Sequence, residues 1–193
     1  MKAGYVLLIS AAITALAQEP AAVPVDQEPH HKVVFKNDFV RVIDATFPAG
    51  YVTLNHTHDV DNVAVTISTG RENAGSAGRA GFSKGGYAHR VTNPGPGIMR
   101  FIAVEIFKTD HPGSSAAQLQ HHILETENDR VRVYRVKLNA DESMPVHSHP
   151  AGWLEVTVNG GNGPGTTQWH RANESSVLKG SGAPLEIVEI EPK

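Results

Sequence analysis

Short runs of alternating apolar and polar residues dominate the chain: FVRVIDATF (39–47), VAVTIS (63–68), MRFIAVEIF (99–107), RVRVYRVKL (130–138), LEVTV (154–158) and LEIVEI (185–190). A period of two, rich in Val and Ile and five to nine residues long, predicts β-strands with one buried face. Glycine- and proline-rich turns separate the runs, and nothing between them carries the period of a long amphipathic helix. The pattern predicts an all-β sandwich or barrel.

The strands come in two sets. Shifting the chain by 91 positions lays residues 30–70 over 121–161 without a gap and produces thirteen identities, among them His30/His121, His31/His122, Asn37/Asn128, Arg41/Arg132, His56/His147, His58/His149 and Gly70/Gly161. The chain is an internal duplication. The predicted boundary is the linker at residues 108–120, KTDHPGSSAAQLQ, between a first domain at 30–107 and a second at 121–193. Each half is small for burying a core alone, so the two are expected to pack on each other.

Two stretches stand outside the repeat. Residues 1–17, MKAGYVLLISAAITALA, combine Lys2, a short apolar run and Ala15-Leu16-Ala17, which predicts a cleaved secretory signal and a periplasmic location. No stop-transfer pattern follows, so no lasting membrane insertion is expected. Residues 18–29, QEPAAVPVDQEP, are Pro-rich and aperiodic, which predicts an extended tether. The formal net charge of −3, without a basic run, gives no electrostatic case for nucleic acid. There is no cysteine, which excludes disulfides, thiolate nucleophiles and Cys–zinc sites. Stability must then come from an apolar core, aided by a metal or by homo-oligomerisation.

The candidate chemistry lies in histidines. His56 and His58 sit one residue apart in a strand-like stretch, so both rings point to one face. Two ligands hold a metal poorly, and His89, in a later segment, is the candidate third. At these residues the chain resembles the cupin family. Gly50, His56, His58 and Gly70 match the family's first motif, G(X)5HXH(X)3,4E(X)6G. Gly78, Gly86, His89 and Asn93 match its second, G(X)5PXG(X)2H(X)3N, with Lys84 replacing the proline. The resemblance covers both halves and implies a bicupin, two jelly-roll β-barrels. It also implies that His56, His58 and His89 hold one divalent transition metal, with Fe, Cu, Zn, Ni and Mn all suited to imidazole.

The motif's glutamate falls at Val63, and at Leu154 in the second half, so the resemblance implies an all-histidine site that leaves a position for an anionic or chelating substrate. Nearby Asp59, Asp61 and Asn62 could offer an oxygen, although turn chemistry is their default role. In the second half His147 and His149 repeat the pair. Aligning HRVTN with SSVLK places Ser175 opposite His89 and is preferred, while a rival alignment lays His170-Arg171 over His89-Arg90 and needs an insertion before the last strand. That half is expected to carry a degenerate site or none. Glu155 is expected to point away from it, Trp153 and Trp169 to pack in the core or between the halves, and the His30-His31 and His121-His122 doublets to be polar residues opening a strand.

Two functions follow as expectations. One is a metal-dependent dioxygenase acting on a small chelating substrate. The other is a barrel that binds a metal or small molecule without turnover. No general base is visible near the first site, which argues against chemistry that needs proton transfer.

Overall fold

The computed structural model describes residues 21–72, 77–109 and 119–193. The expected export signal at 1–17 and most of the linker at 108–120 lie outside the described residues. The first half consists of β1 (Val23–Pro24), a 3-10 turn (Val25–Gln27), β2 (His31–Lys36), β3 (Val40–Phe47), β4 (His56–His58), β5 (Asn62–Thr69), β6 (Ala80–Ser83), β7 (Tyr87–His89) and β8 (Met99–Ile106). The second half consists of β9 (His122–Glu127), β10 (Val131–Leu138), β11 (Trp153–Asn159), β12 (Thr167–His170) and β13 (Leu185–Pro192). The fold is all-β, as the alternation predicts.

Each half is built on a five-stranded sheet, ordered β2-β3-β8-β5-β6 in the first and β12-β11-β13-β10-β9 in the second. A three-stranded sheet, β1-β4-β7, closes the first barrel. In the second, isolated bridges Ser143↔Lys179 and His147↔Ser176 stand where the first has Val52↔Thr92 and His56↔His89. The duplication therefore extends to strand register. Val42 pairs with Val104 as Val133 pairs with Ile190, and Arg41 with Glu105 as Arg132 with Glu191.

Alternation sends each strand's two faces to different places. Val40, Val42, Val63, Val65, Ile102 and Val104 pack in one cluster with Val131, Val133, Leu154, Val156, Val188 and Ile190. The main core thus lies between the two large sheets, each side chain contributing about 1.5–3 kcal/mol on burial. Trp169 extends this seam by stacking on Phe35 and Phe39, with centroids 6.2 and 6.0 Å away. Arg130 crosses it to Asp61 at 2.9 Å, and Arg100 donates to the Pro164 carbonyl at 2.9 Å. The opposite faces line the barrel interiors.

The expected tether is corrected in its described part. Val23 and Pro24 pair in parallel with His56 and Thr57, Val25 is buried against Ile43 and Ala103, and Glu28 is buried. Proline at 24 suits an edge strand because it has no amide to donate. This stretch belongs to the first barrel and supports the strand that carries His56 and His58.

Candidate metal centre

His56 and His58 lie on β4 and His89 on the antiparallel neighbour β7, with His56 directly opposite His89. Two motif glycines, Gly86 of the second motif and Gly70 of the first, fix that placement. Gly86 adopts φ +85°, in the left-handed region that suits glycine, and its amide donates to the His58 carbonyl at 2.7 Å. Gly70, at φ +71°, leaves room for Asn93, whose Oδ1 would lie 2.6 Å from an added Cβ. The Asn93 amide group donates to the carbonyls of Phe47, Pro48 and Gly97, which ties the barrel mouth together.

The three imidazoles converge. Their ring centroids are 4.5–5.2 Å apart, and one nitrogen from each lies within 4.8 Å of the others. His56 Nδ1 meets the Leu54 carbonyl at 3.0 Å. A carbonyl only accepts, so Nδ1 carries the hydrogen and Nε2 presents a lone pair. His56 Nε2, His58 Nδ1 and His89 Nε2 are buried without a hydrogen-bond partner. Leaving a buried polar atom unsatisfied costs about 1–3 kcal/mol. Three such atoms, on rings that bring ligand nitrogens within 4.8 Å of one another, fit a divalent cation. Burial, followed by the charge of the neighbouring histidines, lowers the pKa of His58 to about 3 and of His89 to about 4. Both rings are thereby kept neutral, the form that ligates.

Beside the triad lies a chamber of about 160 Å³. Ala45, Phe47, Ala64, Val91, Phe101 and Ala103 form its apolar wall, and Asn62 and Tyr87 supply polar atoms. Asn62 Nδ2 donates to the Tyr87 hydroxyl at 3.2 Å. His31 also reaches the chamber, its ring 4.6 Å from that of His56, and its Nδ1 pairs with Glu28 at 2.7 Å. Glu28 also accepts from Tyr51 and the His30 amide. Although burial opposes ionisation there, these donors hold its carboxyl below the ordinary range.

Several expectations change. Val63 and Leu154 both face the core between the halves, so neither position could place a ligand in a barrel. The inward residues are one step away on either side: Asn62 and Ala64 in the first half, Trp153 and Glu155 in the second. Asp61 accepts from the Gly85 amide and pairs with Arg130, away from the triad. Arg100 also stands outside the site, its guanidinium paired with Asp44 at 2.8 Å. Arg41 and Arg132 hold the buried carboxylates Glu105 and Glu191, and Asn37 and Asn128 cap the turns before them, so the N-D-x-V-R-V repeat is structural.

The second half departs furthest from expectation. Register places Ser176, not Ser175, opposite His147, and its hydroxyl donates to Glu155 at 2.9 Å. A serine does replace the third histidine. Yet His147 and His149 gather His122 and Glu189 instead, and these four side chains also bring ligand atoms within 4.8 Å of one another. The repeated His-His doublet was the available signal for His122. Glu189 stands where the first half has Ala103, a correspondence visible only once strand register is known. Trp153 is buried between His149 and His170, its ring centroid 4.6 and 4.5 Å from theirs, while Trp169 packs between the halves.

Comparison with known proteins places the fold. No family model matches the sequence, and no curated protein matches it. Among solved structures, AerE from Microcystis aeruginosa is similar over 86% of this chain and 98% of its own, at 10% identity and a TM-score of 0.51. A cupin domain from Bordetella pertussis tohama i is 28% identical over 45% of this chain and 98% of its own, with a TM-score of 0.35. Salicylate 1,2-dioxygenase from Pseudoaminobacter salicylatoxidans, in a gentisate adduct, covers 81% of this chain and 70% of its own at 10% identity and a TM-score of 0.47. The all-β fold and the His56-His58-His89 triad are together cupin-like, as the two motifs imply.

Proposed function

We propose that the N-terminal barrel is a metal-dependent oxygenase centre for a small chelating substrate. The observation that carries this reading is the set of three orphaned, buried ring nitrogens beside an apolar chamber. A divalent metal held by His56, His58 and His89 would supply Lewis acidity and redox chemistry there, with coordination positions left for substrate. Phe47, Val91 and Phe101 exclude water and pack against the body of the substrate. Tyr87, whose oxygen already accepts from Asn62, can donate its own hydrogen to a substrate oxygen and orient it. About 160 Å³ is close to the size of an apolar cavity that holds one benzene ring, so single-ring or short-chain chelators fit better than multi-ring ones.

The test is oxygen uptake by the full chain loaded in turn with Fe, Cu, Zn, Ni and Mn, against catechols, flavonols and diketones. Uptake with a single-ring catechol or short diketone, lost in His89→Ala, supports the proposal. Metal retention without uptake for any pair would sink it. A barrel that binds a metal or small molecule without turnover is the second reading. It is favoured by Ala64 and Ala103, which stand in the chamber wall where the second half carries Glu155 and Glu189.

The same proposal includes tandem cupin domains at 30–107 and 121–193, and export directed by residues 1–17. Sequencing the N-terminus of protein recovered from the periplasm tests the latter, with Gln18 expected as the first residue.

A further inference from the structure

Glu189, fully buried on β13, collects three histidines. His122 Nε2 lies 2.8 Å and His149 Nε2 2.8 Å from Oε2, and His147 Nε2 lies 3.0 Å from Oε1. The outer nitrogens of two of these rings are already committed. His122 Nδ1 lies 2.8 Å from the Gln120 carbonyl, and His149 Nδ1 lies 2.7 Å from Glu191 Oε2. Both of those partners are acceptors, so both Nδ1 atoms carry hydrogen. Glu191 is itself held by Arg132 at 2.7 Å.

Two states satisfy this arrangement. In one, His122 and His149 also carry hydrogen on Nε2, which makes two imidazolium ions whose rings are 5.8 Å apart inside the barrel. In the other, both are neutral, and their Nε2 lone pairs and the Glu189 carboxylate face a single divalent cation. The cation supplies the same two positive charges at one point and removes the repulsion between two buried like charges. A histidine whose far nitrogen donates to a carboxylate or carbonyl is the usual support of a metal-bound imidazole. The four side chains are at most 6% exposed, and Trp153 and Tyr134 cover His149. Four buried ligands, three nitrogens and one oxygen, complete the tetrahedral coordination number of a closed zinc site and leave no open position of the kind a catalytic one keeps.

We propose that the C-terminal barrel holds a second divalent cation, zinc or a metal of similar preference, through His122, His147, His149 and Glu189, and that this cation stabilises the barrel. The site uses neither Ser176, which stands in place of His89, nor Leu154, at the motif's glutamate position. It is independent of the N-terminal triad.

The test is zinc stoichiometry by elemental analysis after stripping and reloading the full chain. Wild type should bind two zinc ions, His89→Ala one and Glu189→Gln one. His89→Ala leaves every residue of the second site in place. Adding zinc to the stripped variant at a hundredfold excess over Kd should raise its Tm by roughly 5–10 °C. Folded His89→Ala that binds no zinc and shows no shift overturns the proposal, as does Glu189→Gln that retains both ions. Should His89→Ala not fold, wild type against Glu189→Gln decides: a fall from two ions to one supports the second site, and no fall rejects it.

Discussion

The two barrels share a strand plan and a His-x-His pair, yet they surround that pair with opposite environments. In the first, His56 and His58 are completed by His89 from β7, and the facing wall holds Ala64 and Ala103. In the second, His147 and His149 are completed by His122 from β9 and by Glu189, with Glu155 beside it. His31, the counterpart of His122, is held by Glu28, whereas the second half has Leu119 at that position and His122 turns to the Gln120 carbonyl. Duplication preserved the pair, and divergence moved its partners to different sides of the barrel. One arrangement leaves an apolar space beside neutral rings. The other encloses its histidines among carboxylates. This is the physical difference between a site that can admit a substrate and a closed one with no room beside its ligands.

Removing a ligand should break the contrast most severely. His56→Ala should lower metal affinity at the first site by more than about 100-fold, beyond the usual cost of losing a supporting contact, and should abolish oxygen uptake. Elemental analysis and an oxygen electrode read both.

The arginines give the next largest effect. Arg132 is fully buried with Glu191, while Arg41 is 17% exposed in the equivalent pair with Glu105. Arg132→Ala leaves the buried Glu191 carboxylate with His149 as its remaining partner and should cost about 3–5 kcal/mol. Arg41→Ala should cost less, because water can reach Glu105 through the space it vacates. Urea unfolding of the two variants measures the difference, and equal costs would refute the claimed asymmetry.

Acidity should act on the halves with opposite signs in the metal-stripped protein. Burial depresses His58 and His89 to about 3 and 4, so the unfolded chain takes up protons first as pH falls below about 6.5. Their contribution is complete above that pH and declines from there toward about pH 4 for His89 and about pH 3 for His58. His149 behaves inversely. Burial opposes its charge, but Glu189 and Glu191 raise it to about 9, so its contribution is complete below about 6.5 and lost as pH rises through 9. Replacing His58 by Gln should flatten the acid limb of Tm against pH, and replacing His149 by Gln the alkaline limb.

The smallest effect sharpens the reading of the chamber. Ala103→Val adds two methyl groups to its wall and should lower kcat/KM for a single-ring substrate about tenfold. Metal content should stay unchanged.

Much of this was legible from residue order. Alternation at β3, β8 and β10 gave the strands, the offset of 91 gave the duplication, and the spacing from Gly50 to Asn93 gave the first triad. These features are local, because a strand's period and a motif's spacing do not depend on what packs against them. Three-dimensional packing decided which face of each strand looks inward. It put Val63 and Leu154 in the seam between the sheets and Glu155 inside the barrel, and it drew Val23–Glu28 into the first barrel. It also united His122 with Glu189, 67 residues away in the chain, on strands that both flank β10. Period fixes that neighbouring side chains point oppositely. Only the burial of two sheets against each other settles which of the two directions is the interior.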